Sequence, residues 1–131
     1  MPSARTNGVI RMRRDHEGPI HRAILAYLRA TLPHALIHHS PGESDMAGAD
    51  RARMKASALG TMRGWPDLQV CLRYGATVYF EVKAEGSRVS PAQKAIGAAL
   101  MDLGNHWAVV RSVEDVRDCL DEWGVKTREV A

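Results

Sequence analysis

The chain has 131 residues, of which 45% are hydrophobic and 25% charged, the balance of an ordinary soluble domain. A chain of this length buries a core without disulfides or structural metal, and no apolar run approaches the roughly 18 residues of a membrane span. No signal-peptide pattern opens it, so we expect a cytoplasmic protein. Cys71 and Cys119 lack metal-type spacing and are expected to be reduced.

The formal net charge is +3, and the basic residues form two groups that are able to contact phosphates. Residues 1–16 carry the first group, lack apolar periodicity and are predicted to form a flexible arm before a single domain over residues 17–131. Four other basic residues are predicted to contact nucleic acid: Arg53, Lys55, Arg63 and Arg88. Charge alone leaves a solvated tail and a solvated helix face as an equal alternative.

The first third of the chain is predicted to hold a helix and a strand. Apolar residues recur from Ile20 onward at the spacing of one helix face, and Pro33 ends the pattern. Glu17 shares the inward stripe of this helix, an unusual position for an acid. A short strand is predicted over residues 35–39 and a helix over residues 47–59.

Residues 67–73 and 77–83 alternate between polar and apolar side chains, which predicts a β-hairpin with a three-residue loop. We expect a register that pairs residue 68 with 82, 70 with 80 and 72 with 78, because it keeps the apolar side chains on one face. A slip by one residue would place the apolar sets on opposite faces.

This register makes four polar side chains converge at the end of the hairpin away from its turn, because Asp67 lies opposite Lys83 and Gln69 opposite Glu81. Crowded carboxylates repel each other, and a divalent cation is the usual relief. A metal held by Asp67 and Glu81 would activate water against a phosphodiester. Lys83 would orient that water or neutralise the phosphoryl group.

The remaining residues predict helix, strand and helix. Ser90, Pro91 and Gln93 form a capping-box helix start, and Gly104 ends that helix. Residues 106–111 form an apolar run suited to the interior of a sheet, and Ser112 caps a last helix. The order of elements predicts an α/β fold with one mixed sheet and helices packed against it.

The motifs resemble those of a known nuclease family. Gly64-Trp65-Pro66-Asp67 followed by Glu81-Val82-Lys83 is similar to the PD-(D/E)XK signature. With Glu17 on the first helix and the Ser-Pro-x-Gln helix start, the pattern over residues 17–120 resembles the VRR-NUC branch. The resemblance implies a restriction-endonuclease-like fold and a Mg²⁺- or Mn²⁺-dependent deoxyribonuclease. It also implies an intracellular protein of bacterial or phage type.

The resemblance also implies a role for each motif residue. The metal ligands would be Asp67, Glu81 and the backbone carbonyl of Val82, with Glu17 as an accessory acid. Lys83 would be the catalytic lysine and Gln93 an active-site helper. Small stand-alone members act as homodimers on branched DNA such as four-way junctions or flaps, which also suggests a helicase or replication and repair partner.

Two residues depart from the family pattern: His21 stands where relatives often have Gln, and Gly42 follows Pro41 where Pro-Asn is common. Both departures leave the substrate preference open.

The residues of the predicted site also have purely structural explanations. Asp67 would cap its turn, Lys83 would form an exposed ion pair with Asp67 worth under about 1 kcal/mol, and Gln93 would only cap its helix.

The histidines contribute little to the prediction. His39 is expected to be an ordinary strand residue, with a position facing the site as the alternative, and no role is assigned to His16, His34 or His106. The competing function is a catalytically silent DNA-binding module with the same fold, whose DNA binding would be salt-sensitive and would yield no metal-dependent product.

Overall fold

The structure, a computed structural model, describes residues 16–40, 60 and 62–130. Nearly all of the predicted basic arm lies outside the described residues, as does the predicted helix over residues 47–59, which contains Arg53 and Lys55. The division into an arm and a domain therefore stays a prediction.

The described residues form three helices and four strands. In chain order these are α1 (Glu17–Thr31), β1 (Leu36–His39), β2 (Leu68–Cys71), β3 (Thr77–Val82), α2 (Pro91–Asp102), β4 (His106–Val110) and α3 (Val113–Glu122). The strands make one sheet in the order β1-β2-β3-β4, antiparallel up to β3 and parallel between β3 and β4. The predicted α/β fold with a mixed sheet is confirmed.

The core lies on one face of the sheet, where α1 and α3 pack. Leu28 of α1 and Leu120 of α3 belong to the same buried cluster as Val70, Phe80 and Val82 of the sheet. Helix α2, which carries the chain across from β3 to β4, packs on the opposite face. Parallel neighbours need such a crossover, because a tight turn cannot reverse the chain direction twice.

Both later helices begin as the capping residues predict. The Ser90 hydroxyl accepts a hydrogen bond from the Gln93 backbone N–H at 3.1 Å, and the Ser90 N–H donates to Gln93 Oε1 at 2.8 Å. At the start of α3 the Ser112 hydroxyl accepts from the Asp115 N–H at 3.1 Å. Each cap satisfies backbone donors that the first helical turn leaves unpaired.

The predicted register of the hairpin is wrong by two residues. Leu68 pairs with Phe80 and Val70 with Val78, rather than with residues 82 and 80. A shift of two residues keeps every apolar side chain on the same face, so the alternation alone cannot distinguish the two registers. In the observed register Gln69 pairs with Tyr79 and does not reach Glu81, and Asp67 does not lie opposite Lys83.

The turn of the hairpin decides this register. Its loop is Arg73–Gly75, one residue earlier than predicted, because the Leu72 N–H already donates to the Ala76 carbonyl at 2.8 Å. Tyr74 and Gly75 both have positive φ, at 64° and 78°. Glycine adopts this conformation without steric cost, so Gly75 provides the last loop position and Ala76 begins the return strand.

The prediction that β4 lies inside the sheet is also wrong, because β4 is an end strand of the described sheet. Its apolar run has a different cause. Helix α2 packs on one side of β4 and α3 on the other, so both faces of the strand are covered.

Two further features follow from the described ranges. Cys71 and Cys119 are both free and partly buried. Among the helices of these ranges, none has the length and apolarity required to cross a membrane.

Tyr74 gives a test of the turn. Its side chain is 99% exposed while its φ is 64°, so the ring compensates little for the strained backbone. We expect Tyr74→Asn to raise the free energy of unfolding by about 0.5 kcal/mol, because Asn tolerates positive φ. Urea denaturation measures this, with Arg73→Asn in the same turn as the control that should show no gain. Equal gains from both substitutions would contradict the explanation.

Candidate active site

The turn that carries Asp67 packs directly against the start of α2. Gly64 is buried with φ of +85°, and a Cβ at this position would lie 2.5 Å from the Ala92 carbonyl carbon and 2.8 Å from the Gln93 nitrogen. Only glycine allows this backbone approach together with this φ. The contact brings Asp67 and the first turn of α2 to the same end of the sheet.

The position of Asp67 is held by both neighbouring strands. Its Oδ2 accepts a hydrogen bond from the Val82 N–H at 2.8 Å, which joins it to the end of β3. Its carbonyl accepts from the Ser40 N–H at 2.9 Å, just after β1, and lies 3.2 Å from His39 Nδ1. The carboxylate therefore bonds across the sheet rather than capping its own turn.

Glu81 is a buried carboxyl with one oxygen unpaired. Its side chain is 1% exposed, and its Oε1 accepts a hydrogen bond from Gln93 Nε2 at 3.2 Å. Its Oε2 is buried and has no hydrogen-bond partner among the described residues. Burying a polar atom without a partner costs free energy, so an unpaired buried carboxyl oxygen indicates a functional or ligand-binding role.

The electrostatics of Glu81 connect it to three other charged side chains. The pKa of Glu81 is raised to about 9, first by burial and then by the closeness of the Asp67 carboxyl. Lys83 lowers the pKa and Glu17 raises it. Three acids and one lysine therefore act on the same small volume, and a cation is the group that would relieve them.

Gln93 has two roles that the sequence analysis treated as alternatives. Its Oε1 accepts from the Ser90 N–H in the capping box, while its Nε2 donates to Glu81. The cap fixes the side chain, so the amide donor is already oriented toward the carboxyl. Lys83 lies at the end of β3 and is tied to β4, since its N–H donates to the Val110 carbonyl at 3.0 Å.

These donors fit a hard divalent cation. Mg²⁺ and Mn²⁺ prefer oxygen ligands, and Mg²⁺ typically takes one or two carboxylates while keeping several waters. Asp67 and Glu81 offer two carboxylates, one with an unpaired oxygen. Within residues 16–40 and 62–130 no three His, Cys, Asp or Glu side chains are grouped to hold an ion by themselves. The pair therefore suits an open site completed by water and phosphate oxygens rather than a closed structural site.

VRR_NUC domains are among the solved structures whose fold is similar to that of this chain. A structure titled "VRR_NUC domain" matches with a TM-score of 0.60 and 22% identity, covering 84% of this chain and 99% of that chain. The fold is that of a VRR_NUC domain. A structure titled "VRR_NUC domain protein" matches with a TM-score of 0.63 and 21% identity, covering 86% and 90% of the two chains. The restriction-endonuclease-like architecture predicted from the sequence is thereby confirmed.

At the level of sequence no family model matches the chain, and no curated protein matches it. The likeness to VRR_NUC domains is therefore visible in three dimensions. In the sequence, a few short motifs rather than long similar stretches carry the resemblance.

Within this VRR_NUC fold, a pair of histidines lies beside Asp67 that the sequence analysis largely missed. The rings of His21 and His39 meet edge-to-face with their centroids 4.5 Å apart. His21 follows Glu17 by one helical turn, so both project from the same side of α1. That spacing was the available signal, but only the tertiary fold brings β1 and His39 against it.

The remaining residues that the sequence predicts near the site, and that the structure describes, are Gln69, Arg63 and Arg88. Gln69 is excluded from the site by the observed register, and its amide lies 3.9 Å from Cys71 Sγ instead. Arg63 and Arg88 are both exposed, the first just before the Gly64 turn and the second just before the α2 cap. Their predicted role toward nucleic acid stays a prediction.

Proposed function

We propose that this chain is a metal-dependent deoxyribonuclease of the VRR-NUC family that hydrolyses phosphodiester bonds in structured or branched DNA, such as four-way junctions and flaps. One observation carries the proposal: the buried Glu81 carboxyl, with an unpaired oxygen, stands beside Asp67 and Lys83 at one end of the sheet. A buried carboxyl pair of this kind is costly unless a ligand binds it. The likeness of the fold to VRR_NUC domains supports the proposal.

The proposed ligands of a Mg²⁺ or Mn²⁺ ion are Asp67, Glu81 and the carbonyl of Val82, with Glu17 as the accessory acid. When bound, such an ion supplies Lewis acidity for phosphate oxygens and a nucleophilic water at neutral pH. The protein has already oriented both carboxylates. The Val82 N–H holds Asp67 Oδ2, and Gln93 holds Glu81 Oε1, which leaves Glu81 Oε2 available.

Lys83 is the proposed catalytic lysine. Its charge lowers the pKa of Glu81, so the two side chains interact electrostatically. In this position it would orient the attacking water and balance the negative charge that grows on the phosphoryl oxygens. Four basic residues are proposed to contact the DNA backbone: Arg53, Lys55, Arg63 and Arg88. Such contacts position the DNA without reading its base sequence.

A panel of labelled linear, flapped and four-way DNA in Mg²⁺ or Mn²⁺ tests the function. We expect cleavage of branched substrates by the natural chain, and at least a hundredfold slower cleavage by Asp67→Ala and Lys83→Ala, about what removal of a single preorganised group costs. Both variants should keep DNA binding in metal-free buffer. The control is Lys94→Ala, which removes an exposed lysine of α2. Unchanged cleavage by Lys83→Ala would end the assignment.

The same panel separates the two candidate functions. If the natural chain binds DNA in a salt-sensitive way but gives no product with either metal, the silent DNA-binding module is the correct description.

We further propose that the chain works as a homodimer, because cutting both strands of a junction requires two sites and one chain offers one. Sedimentation velocity with a four-way junction should show two chains per DNA. A single chain per junction at concentrations that support cleavage would contradict this. Association with a helicase or another replication or repair protein also remains a proposal.

A further inference from the structure

A cleft of about 700 Å³ opens at the end of the sheet opposite to Asp67 and Glu81. Its walls are the end of α1, the hairpin turn and the tail that follows α3. Apolar side chains form much of its lining, including Leu32, Leu72 and Val78. Volumes of this order are typical of sites for small organic ligands, and the role proposed above does not use this cleft.

The charged side chains of this cleft have one sign. Arg73, Lys126 and Arg128 all line it, and no Asp or Glu does among the described residues. Two of these cations come from the tail, which is fixed against α1 because the Arg128 N–H donates to the Thr31 carbonyl at 2.7 Å. A concave surface with cations and no acids favours an anionic ligand.

The cleft also has an aromatic wall. The Trp123 ring stacks on Phe80 at 5.6 Å on the core side and on His106 at 4.8 Å, where the planes differ by 14°. His106 is exposed and lines the cleft, and the Tyr74 ring is 99% exposed at its edge. A planar ligand would extend this stack, as nucleobases do on aromatic side chains.

We propose that the cleft binds a nucleoside phosphate, either as a free nucleotide or as the end of a single strand. The base stacks beside His106 and Tyr74, and the phosphate lies near Arg73, Lys126 and Arg128. This binding goes beyond the proposed cleavage and does not depend on it, so a chain without nuclease activity would retain it.

The three tryptophans of the chain provide a test that separates the two ends of the sheet. Trp123 lines the cleft, Trp65 lies in the turn that carries Asp67, and Trp107 packs against Gly97 of α2. Their indole N–H signals can be followed by ¹H–¹⁵N NMR in metal-free buffer with dTMP or with 5′-phosphorylated hexathymidylate. We expect a saturable shift of the Trp123 signal and none of Trp107.

Each outcome decides the proposal. Saturation by dTMP supports it with a free nucleotide as ligand, and saturation by the oligonucleotide alone supports it with a strand end. A shift of Trp65 alone would overturn it, because the DNA would then bind only at the proposed cleavage site. No shift, or equal shifts of all three signals, would also overturn it.

Matched variants test the residues of the cleft. Tyr74→Asn removes the exposed ring, and Lys126→Ser with Arg128→Ser removes two cations from the exposed tail. In the Trp123 titration, each variant is expected to raise the dissociation constant of the nucleotide by at least about fivefold. Arg117→Ser, at an exposed position of α3, should leave it unchanged. The proposal would be overturned if both cleft variants bound the nucleotide as the natural chain does, or if Arg117→Ser weakened binding equally. It would also be overturned if a peptide of six glutamates and one tryptophan bound the cleft more tightly than the nucleotide does.

Discussion

Replacing Glu81 by glutamine is expected to remove DNA cleavage and to make the metal-free protein more stable. The carboxyl is buried with its Oε2 unpaired and lies beside the Asp67 carboxyl. Because its pKa is raised to about 9, the folded chain holds this carboxyl protonated at neutral pH, which costs free energy relative to the unfolded chain. A glutamine of the same shape still accepts from Gln93 and donates to the Asp67 carboxylate without this cost. We expect a gain of at least about 1 kcal/mol at neutral pH, or roughly 4 °C in Tm, because folding no longer requires the protonation of a buried carboxyl.

The same substitution is expected to slow cleavage at least a hundredfold, because it removes a proposed metal ligand. A third readout is stabilisation by Mn²⁺, which at a hundredfold excess over Kd contributes about 2.7 kcal/mol to the natural chain. This contribution should be largely lost in Glu81→Gln.

Thermal denaturation with and without Mn²⁺, together with the junction-cleavage assay, measures these three effects. Glu122→Gln, an exposed carboxyl of α3, is the control and should stay within about 0.5 kcal/mol of the natural chain. A metal-free Glu81→Gln protein that is less stable than the natural chain would show that the buried carboxyl is better paired than we infer. Equal Mn²⁺ stabilisation of both proteins would remove Glu81 from the ligand set.

Gly64→Ala is expected to destabilise the protein by about 3 kcal/mol or more and to abolish cleavage. The new Cβ would lie 2.5 Å from the Ala92 carbonyl carbon, a contact that only a backbone shift relieves. The positive φ of +85° adds about 1–2 kcal/mol of strain to this overpacking. Because the turn leads to Asp67 and the helix leads to Gln93, separating them should also displace the two sides of the proposed site.

Gly86→Ala is a matched control for this substitution. Gly86 has nearly the same φ, +82°, but nothing lies within 4 Å of the Cβ that alanine would add. It therefore reports the backbone strain alone, and we expect a loss of about 1 kcal/mol with cleavage retained. Urea denaturation of both variants gives the difference. Equal losses would mean that the contact between the turn and α2 contributes nothing.

Local patterns indicate the residues of the candidate site to different extents. Asp67, Glu81 and Lys83 belong to short motifs, so the sequence predicts them as a group although the register expected for them is wrong. Gln93 was ambiguous, because a capping-box glutamine needs no other role, and only the folded chain shows its amide on Glu81. His39 was nearly discounted, since nothing in its own strand points to Asp67.

The sequence by itself determined the identity and order of the described helices and strands, since apolar period and capping residues are local properties. It also predicted that the apolar residues of the hairpin share one face. Only the tertiary structure decided the register. A slip of two residues keeps the apolar side chains on the same face, and the turn at Gly75 selects the observed register over the predicted one. The burial of Glu81 and the meeting of Gly64 with α2 likewise depend on elements far apart in the chain, which no local pattern encodes.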